Sequence, residues 1–435
     1  MRSIPLSAVA FAAALVVASP AAAQTMRMHV IDVGQGAATL LEFPCAAILV
    51  DAGGEDNALF HSTPALIAYL DAFFETRPDL DRTLASLVIS HPHIDHTLGV
   101  PEVLSHYRVL NAVTNGYEKG KGAPGQRALH EKVAAGEETA TTDDDIGLTI
   151  AWHEDIPLEE GLVTRSIDPV DCPDIDPDIR VLWGELRDNP GWTAEAFRDQ
   201  NNHSVVLRVG FGDASILLPG DMEEVALHKL IDSYSDSGLL DVDVLLAAHH
   251  GSHNGTTAEL LNAVTPEIAV IAMGKEERRL DWTAWKYGHP RKAAVDLLLQ
   301  YVSGVRSSEP VRIASAVETF LDLTLERAIY ATGWDGTVVL EADASGAWRV
   351  ISPAAGEIVP LLDEDGPPIS DEQLDINAAT VAELMELPLI GESRAEAIVA
   401  YRASHGPFAS VESLDDVPGI GSTTINAIRN LITAG

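Results

Sequence analysis

The sequence has little positive charge and few aromatic residues. Its 435 residues include 28 Lys and Arg against 66 Asp and Glu, a formal net charge of −38, and aromatic residues make up 6%. A surface that follows nucleic-acid phosphates or binds anionic membrane normally carries excess Lys and Arg, so broad electrostatic attraction to either is disfavoured. Any anionic substrate must therefore be held locally, by metal ions or by backbone N–H groups.

Long apolar runs are missing after residue 23, since no later segment approaches the ~20 apolar residues of a membrane span. Residues 1–23 combine Arg2, an apolar run from Phe11 to Ala18, and small residues directly before Gln24. This pattern predicts a cleaved signal peptide. The alternative, an uncleaved anchor, is disfavoured because the apolar run is short. We expect the mature chain to be periplasmic or secreted, with no attachment to the membrane after the signal peptide is cleaved.

Cysteine is scarce, with only Cys45 and Cys172. Two cysteines are compatible with one disulfide in an oxidising compartment, but the sequence does not show that they meet, so two unpaired buried thiols are the alternative. The length and the 46% hydrophobic content predict a large core and two or three domains.

Metal-binding residue types crowd into one short stretch. His91, His93, Asp95 and His96 have H-x-H-x-D-H spacing and directly follow an apolar β-type run. In a turning segment, alternate side chains face one pocket while the adjacent Asp-His pair turns toward a second, so the spacing suits two metal ions. Imidazole nitrogen with carboxylate oxygen is a ligand set for Zn²⁺, with Mn²⁺ or Fe as alternatives.

Other strand ends repeat this arrangement. Asp51 follows an apolar run beside two glycines, where it either orients a neighbour or simply caps the strand. Asp221 is a candidate for a carboxylate that bridges two metals, and His203 begins the preceding strand. His249 and His250 follow another apolar strand. We expect these side chains to share one rim, as in a metallohydrolase.

A two-metal site supports in-line displacement at phosphorus, so phosphodiester hydrolysis is the leading chemistry. His289, which precedes Pro290, could protonate the leaving oxygen or contact a phosphate; the alternative is a structural histidine at a helix start. Asp51, Asp95 and His289 are the candidate catalytic residues.

Residues 26 to about 350 resemble the metallo-β-lactamase fold in its ComEC-type, DNA-uptake branch. The resemblance implies an α/β fold, an αββα sandwich with the metal site at one edge of its two sheets. It implies one site made by His91, His93, His203 and Asp221, and a second made by Asp95, His96, Asp221 and His250, with His249 as the alternative to His250. The carrying motifs are Asp32-Val-Gly-Gln-Gly36, Ser90-His-Pro-His-Ile-Asp-His96, Asn201-Asn-His-Ser204, Leu218-Pro-Gly-Asp221, His249-His-Gly-Ser252 and Tyr287-Gly-His-Pro290.

The C-terminal residues resemble the tandem helix-hairpin-helix domain of ComEA-type DNA receptors. The match is carried by Asp375-Ile-Asn-Ala-Ala-Thr380, Ala395-Glu-Ala-Ile-Val-Ala-Tyr-Arg402, Gly406-Pro-Phe408 and Val417-Pro-Gly-Ile-Gly421. It implies that backbone N–H groups at Gly391, Gly419 and Gly421 grip duplex phosphates without reading bases. Residues 371–435 hold ten Asp and Glu against three Arg, a formal −7, which argues against tight DNA binding by this module alone.

We therefore expect a signal peptide at 1–23, a hydrolase domain at 24–355, a linker at 356–370 and a small all-α DNA-binding domain at 371–435. The expected function is an exported nuclease or phosphodiesterase that acts on DNA with two divalent metal ions. One alternative is a hydrolase of a small ester, lactone, β-lactam or phosphorylcholine-type substrate. Another is a non-catalytic accessory protein for DNA uptake or binding.

Overall fold

The computed structural model describes residues 24–139, 147–235 and 237–352. In the C-terminal part it describes 374–384, 387, 390, 392–408, 410–417, 420 and 432–434. The predicted signal peptide, the predicted linker and the glycines Gly391, Gly419 and Gly421 lie outside the described residues.

The strands of the described residues are, in chain order, β1 Thr25–Val30, β2 Thr39–Glu42, β3 Ala47–Val50, β4 Asp56–Asn57, β5 Phe60–His61, β6 Thr83–Leu84, β7 Ser86–Val88, β8 Arg108–Val109, β9 Asn111–Thr114, β10 Gly147–Ile150, β11 Asp178–Trp183, β12 Val206–Phe211, β13 Ala214–Leu218, β14 Val244–Leu246, β15 Ile268–Ile271, β16 Val305–Ala316, β17 Thr319–Arg327, β18 Ile329–Ala331, β19 Val338–Asp343, β20 Trp348–Ser352, β21 Leu374–Asp375 and β22 Ile432–Thr433.

The helices of the same residues are α1 Ser62–Thr76, α2 Ile94–Thr97, α3 Val100–His106, α4 Ala123–Thr139, α5 Ala194–Arg198, α6 Glu224–Tyr234, α7 Ala258–Val264, α8 Ala284–Tyr287, α9 Lys292–Tyr301, α10 Thr332–Asp335, α11 Val381–Leu384 and α12 Glu392–His405. None of these helices is long and apolar enough to cross a membrane.

Two large mixed sheets form the centre of the fold. The first has eight strands in the order β10-β9-β7-β3-β2-β1-β19-β20, and the second has six in the order β11-β12-β13-β14-β15-β18. Strands β3 and β7 run parallel in the first sheet, and β13 and β14 run parallel in the second. The candidate metal-binding residues follow the carboxyl ends of these two parallel pairs.

Successive strand residues point to opposite sides of a sheet. Both faces of the first sheet are buried, one against the outer helices and the other against the second sheet. In β2, Leu40 packs with the outer helices and Leu41 packs toward the second sheet; in β3, Leu49 and Val50 alternate in the same way. Helix α1 buries Leu66, Leu70, Phe73 and Phe74, a helical spacing that forms one apolar stripe. Helices α6, α7 and α9 add side chains to the larger core. The expected αββα sandwich is confirmed.

A disulfide joins Cys45, between β2 and β3, to Cys172, which precedes β11. This settles the alternative left open by the sequence in favour of a paired cystine. The bond ties the first sheet to the segment that leads into the second.

The C-terminal module has its own small core. Ile376, Leu384, Ile398, Phe408 and Leu414 are among its buried residues. Asn377 fixes two segments of the module together: its Nδ2 donates to Phe408 O at 3.1 Å and its Oδ1 accepts from Phe408 N at 2.7 Å. Strands β21 and β22 pair the two ends of the module.

Candidate metal centre

The site lies where strand ends of the two sheets meet. Asp51 follows β3, and the segment 91–96 follows its parallel neighbour β7. Asp221 follows β13, and the pair 249–250 follows the parallel neighbour β14. The carboxyl ends of parallel neighbours lie at the same edge of a sheet, so each sheet contributes two adjacent loops.

Four side chains form a compact cluster whose ligand atoms all lie within 4.8 Å of one another: Asp95, His96, Asp221 and His250. His96 Nε2 lies 3.2 Å from Asp221 Oδ1. His250 Nε2 lies 3.4 Å from Asp221 Oδ2 and 3.3 Å from Asp95 Oδ2. The structure thus brings together the four residues that the sequence assigned to the second site, with His250 rather than His249 in the cluster.

Three imidazole Nε2 atoms in this region are buried without a hydrogen-bond partner, those of His91, His96 and His250. Buried polar atoms are normally paired, because an unpaired one retains its desolvation penalty. A divalent cation would satisfy all three, since neutral imidazole and carboxylate are its usual ligands. The donor set therefore fits the metal that the fold implies.

The electrostatics of the cluster favour a bound cation. Burial alone would raise the pKa of Asp221, but the neighbouring His250 and His96 hold it well below its usual range. Burial lowers the pKa of His250, yet Asp221 and Asp95 outweigh this and raise it to about 10. The two carboxylates therefore attract positive charge to the point that the imidazoles face. A divalent cation would supply that charge in place of protons.

Two further histidine nitrogens lie near Asp221. Its Oδ2, which also faces His250, lies 3.9 Å from His91 Nε2 and 4.0 Å from His249 Nε2. The ring of His93 is 4.5 Å from that of His91. Burial and the neighbouring histidines hold the pKa of His91 well below its usual value, so His91 is neutral, as a metal ligand must be.

His203 does not join either group, which corrects its assignment from the sequence. Its Nδ1 accepts a hydrogen bond from Leu186 N at 3.1 Å, and its Nε2 donates to Phe197 O at 2.7 Å. Both ring nitrogens are therefore used by the backbone. His203 is a buried structural histidine that ties two segments together at the start of β12.

Asp51 contacts His96 on the side of the ring away from Asp221. It does not line the cleft that Asp95, Asp221 and His250 line. Its Oδ2 accepts from His96 Nδ1 and from Ser90 Oγ, each at 2.8 Å, and its Oδ1 accepts from Ser90 N at 2.8 Å. This corrects the expectation that Asp51 is catalytic: it is a positioning residue. A carboxylate on the second nitrogen of a ligating histidine fixes the ring and makes it more basic.

His250 is oriented in a similar way, because its Nδ1 donates to Ala272 O at 2.7 Å. The backbone assists this placement. His249 and His250 adopt φ of 50° and 54°, in the left-handed region that a non-glycine residue rarely occupies. Gly53 allows the loop after β3 to pack against the metal-binding segment, because a Cβ at this position would lie 1.7 Å from Asp95 O.

His289 lines a cleft in front of the cluster, where its ring stacks on that of His250 with 6.1 Å between ring centres. Its Nδ1 accepts from Gln35 Nε2 at 3.1 Å, while Gln35 Oε1 accepts from Gly274 N at 3.4 Å. Burial, with the neighbouring His250 and His249, holds the pKa of His289 well below its usual value. The neutral ring therefore carries its proton on Nε2. The cleft has a volume of about 690 Å³ and is also lined by Asp95, Asp221 and both residues of the 249–250 pair.

Sequence reasoning did not assign roles to several residues of the site. Gln35 lies in the quoted Gly-Gln-Gly turn and Ser204 in the quoted Asn-Asn-His-Ser motif, so each carried a signal. Ser204 Oγ accepts from Asp221 N at 3.1 Å. Glu223 Oε1 lies 3.5 Å from His249 Nδ1 and had no motif around it.

The chain is similar to known families in two separate regions. Residues 31–275 match the metallo-beta-lactamase superfamily, and residues 370–433 match the helix-hairpin-helix motif. The chain is 26% identical to Recombination protein 2 of Haemophilus influenzae over 284 residues, covering 65% of this chain and 28% of that protein. It is 25% identical to ComE operon protein 3 of Bacillus subtilis over 289 residues, covering 63% of this chain and 30% of that protein.

The C-terminal module has its own relative. ComE operon protein 1 of Bacillus subtilis is 42% identical over 60 residues, which is 14% of this chain and 29% of that protein. The chain thus spans less than a third of the length of each of these relatives. The expected combination of a ComEC-type hydrolase domain with a helix-hairpin-helix module is confirmed. Since the first match covers more than half of the sequence, this chain belongs to the metallo-beta-lactamase superfamily.

Proposed function

We propose that the mature chain is an exported phosphodiesterase that hydrolyses DNA with two divalent cations, which Asp221 and the surrounding histidines would hold. One observation carries this proposal. The Asp221 carboxylate lies within 3.2 to 4.0 Å of Nε2 atoms on four histidines, His91, His96, His249 and His250. A carboxylate shared by two sets of nitrogen ligands is the arrangement that two neighbouring cations need.

The proposed ligands are Asp95, His96 and His250 on one side and His91, His93 and His249 on the other, with Asp221 between them. His249 takes the place that the sequence gave to His203. Nitrogen and carboxylate ligands favour Zn²⁺, with Mn²⁺ or Fe as alternatives. Cations bound here would supply Lewis-acid activation of water and of the phosphoryl group.

The chain itself supplies a proton donor. His289 is neutral, and its Nε2–H is the proposed donor to the oxygen that leaves phosphorus. Gln35 fixes this tautomer through the 3.1 Å contact to Nδ1. An alkoxide leaving group of a nucleic acid requires such a donor more than an aryl oxide does, because the alkoxide is the stronger base.

DNA is the proposed substrate because two parts of the chain point to it. The helix-hairpin-helix match at residues 370–433 supports a phosphate-binding role for the C-terminal module. The relatives of the hydrolase domain are named Recombination protein 2 and ComE operon protein 3, and the first name points to DNA. We propose domain limits of 24–355 and 371–435, with non-specific DNA contacts at Gly391, Gly419 and Gly421.

Export is supported by two features of different kinds. Residues 1–23 have the pattern of a signal peptide, and Cys45 is bonded to Cys172. Disulfides persist in oxidising compartments such as the periplasm or the cell exterior. We therefore propose a periplasmic or secreted mature protein that begins at Gln24.

The direct test is cleavage of DNA by the mature chain loaded with Zn²⁺ or Mn²⁺. Linear and circular substrates, single- and double-stranded, are compared for wild type and an Asp95→Ala/His96→Ala variant. His106→Gln, at an exposed histidine that ends α3, is the matched control. We expect cleavage by wild type and the control but not by the double variant.

The same experiment decides between the alternatives. If the metal-loaded wild type leaves DNA and a bis-aryl phosphodiester intact, the phosphodiesterase proposal is wrong. Hydrolysis of carboxylic esters or lactones under those conditions would instead identify a small-ester hydrolase. Failure with every ester, together with retained DNA binding, would identify a non-catalytic accessory protein.

A further inference from the structure

An exposed tryptophan stands at the rim of the metal cleft. The residue Trp282 is 52% exposed and lines the cleft together with His289. Its φ of 65° is unusual for a bulky side chain, which indicates that the surrounding structure holds it there. The next residue, Thr283, is fully buried, and its Oγ1 donates to Leu280 O at 2.7 Å. The backbone that carries the exposed indole is therefore fixed by the buried residue next to it.

A lysine from a distant part of the chain meets this indole. The Nζ of Lys121 lies 4.2 Å from the centre of the Trp282 ring, a distance at which an ammonium group is attracted to the aromatic face. No carboxylate of the described residues forms an ion pair with Lys121. By contrast, Lys286 is paired with Glu318 at 2.8 Å. In a chain of net charge −38, this unpaired cation beside the cleft is available to an anionic ligand.

The loop of Lys121 is anchored to the metal-binding segment. Thr97, which follows His96, donates its Oγ1 to Gly122 O at 2.8 Å. Gly122 packs so closely that a Cβ would lie 2.4 Å from the carbonyl carbon of His93. The backbone that carries Lys121 is therefore anchored against the metal-binding segment.

A row of rings connects Trp282 to the metal centre. Trp282 and Tyr287 lie 6.3 Å apart between ring centres, and Tyr287 stacks on His289 at 5.8 Å. His289 in turn stacks on His250 at 6.1 Å. A strand bound along this row would place one of its flat groups on Trp282 while a phosphate farther along the strand reaches the cluster.

We propose that Trp282 and Lys121 form a nucleotide subsite, in which the indole stacks on an unpaired base and the ammonium contacts the adjoining phosphate. This inference rests on the proposed phosphodiesterase function. Lys121 lies over the indole, and 52% of Trp282 stays exposed to receive a base. A base inside a duplex is already stacked on both sides, so the subsite accepts bases only from single strands or frayed ends.

Abasic substitution provides the test. Single-stranded oligonucleotides are prepared intact or with one abasic nucleotide, placed in turn at each position around the cut. We expect one position at which loss of the base lowers kcat/KM of wild type about 5- to 100-fold, the range given by base–aromatic stacking. Trp282→Ala should cut intact and abasic strands equally, whereas Trp282→Phe should restore part of the difference.

Two controls separate the subsite from the rest of the protein. In the first, the strand that is abasic at the sensitive position should lose less activity in Trp282→Ala than the intact strand does, because it has no base to stack on the indole. Lys121→Met should weaken binding of short strands, and Lys132→Met, an exposed lysine on α4, should not. Equal loss of activity by Trp282→Ala on every substrate, or no sensitivity of wild type to any abasic position, would overturn the subsite.

A binding measurement keeps the two proposals distinct. Fluorescence anisotropy without added metal measures how tightly the protein binds labelled single strands. The affinity for intact strands is compared with that for abasic strands. If wild type binds the intact strand more tightly and Trp282→Ala does not, the subsite exists even when no DNA is cut, and only the phosphodiesterase proposal fails. If DNA is cut but base loss never alters binding or rate, the subsite is wrong and the phosphodiesterase proposal stands.

Discussion

The Asp51 carboxylate lies 2.8 Å from His96 Nδ1, on the side of the ring opposite Asp221. Replacing Asp51 with Asn keeps the shape but puts a weaker acceptor, or a donor, against His96 and Ser90. We expect Asp51→Asn to lower metal affinity about 10- to 100-fold, the usual effect of losing such a carboxylate. Competition with a chelator measures this. Asp56→Asn, at an exposed carboxylate paired with His61, is the control; equal affinities in all three proteins would contradict the positioning role.

The contact between Gln35 and His289 predicts how activity depends on the leaving group. His289→Ala should slow DNA hydrolysis about 100-fold, because the alkoxide loses its proton donor. It should slow bis(4-nitrophenyl) phosphate less than tenfold, because 4-nitrophenolate leaves without a proton. Gln35→Leu should act in the same direction with a smaller effect. Steady-state rates on both substrates measure the ratio, and equal slowing of the two would show that neither residue serves proton transfer.

Glu185 makes stability fall as pH rises. Burial, with nearby Glu154, raises the pKa of Glu185 to about 8 from an ordinary 4.5. Its stabilising contribution is therefore complete below pH 4.5 and is lost as pH rises toward 8. The neighbouring His203 does not compensate, because burial lowers its pKa and keeps it neutral. Glu185→Gln should raise the free energy of unfolding at pH 8 by about 1 to 2 kcal/mol.

Denaturant titrations at pH 4.5 and pH 8 measure this change. The stability gain of Glu185→Gln should be present at pH 8 and small at pH 4.5. Glu160→Gln, at an exposed carboxylate, is the matched control. A gain that does not depend on pH would show that the charge of Glu185 is not its cause.

The glycines of the C-terminal module predict a separable loss of DNA binding. A Gly419→Asp/Gly421→Asp variant adds two negative charges where phosphates are expected to dock. We expect duplex affinity, measured by anisotropy at low salt, to fall about tenfold or more, and its salt dependence to become shallower. Hydrolysis of bis(4-nitrophenyl) phosphate should not change. Unaltered duplex binding would place the DNA contacts elsewhere.

The sequence predicted the parts of the site that local spacing controls. His91, His93, Asp95 and His96 follow one strand, so their proximity to one another is set within six residues. The proximity of Asp221 to His250 was predicted because each residue follows the end of an apolar strand. His203 was misassigned because its motif does not reveal that Leu186 N and Phe197 O use both ring nitrogens.

Contacts between distant segments were beyond sequence reasoning. Lys121 and Trp282 are 161 positions apart in the chain, and no motif joins them. The same holds for Gln35 and His289, whose side chains meet only after both sheets have formed. The sandwich was predictable because its motifs resemble those of the metallo-β-lactamase fold, whereas these pairings depend on the packing of the complete fold.

The most direct test of the central claim is the number of metal ions that the folded mature chain binds. Metal content after equilibration with Zn²⁺ or Mn²⁺ is compared for wild type, Asp221→Asn and His203→Gln. The shared carboxylate predicts two ions in wild type, a loss of at least one in Asp221→Asn, and two in any folded His203→Gln, even if that variant is less stable. Two tightly bound ions in Asp221→Asn, or the loss of an ion in folded His203→Gln, would contradict the account.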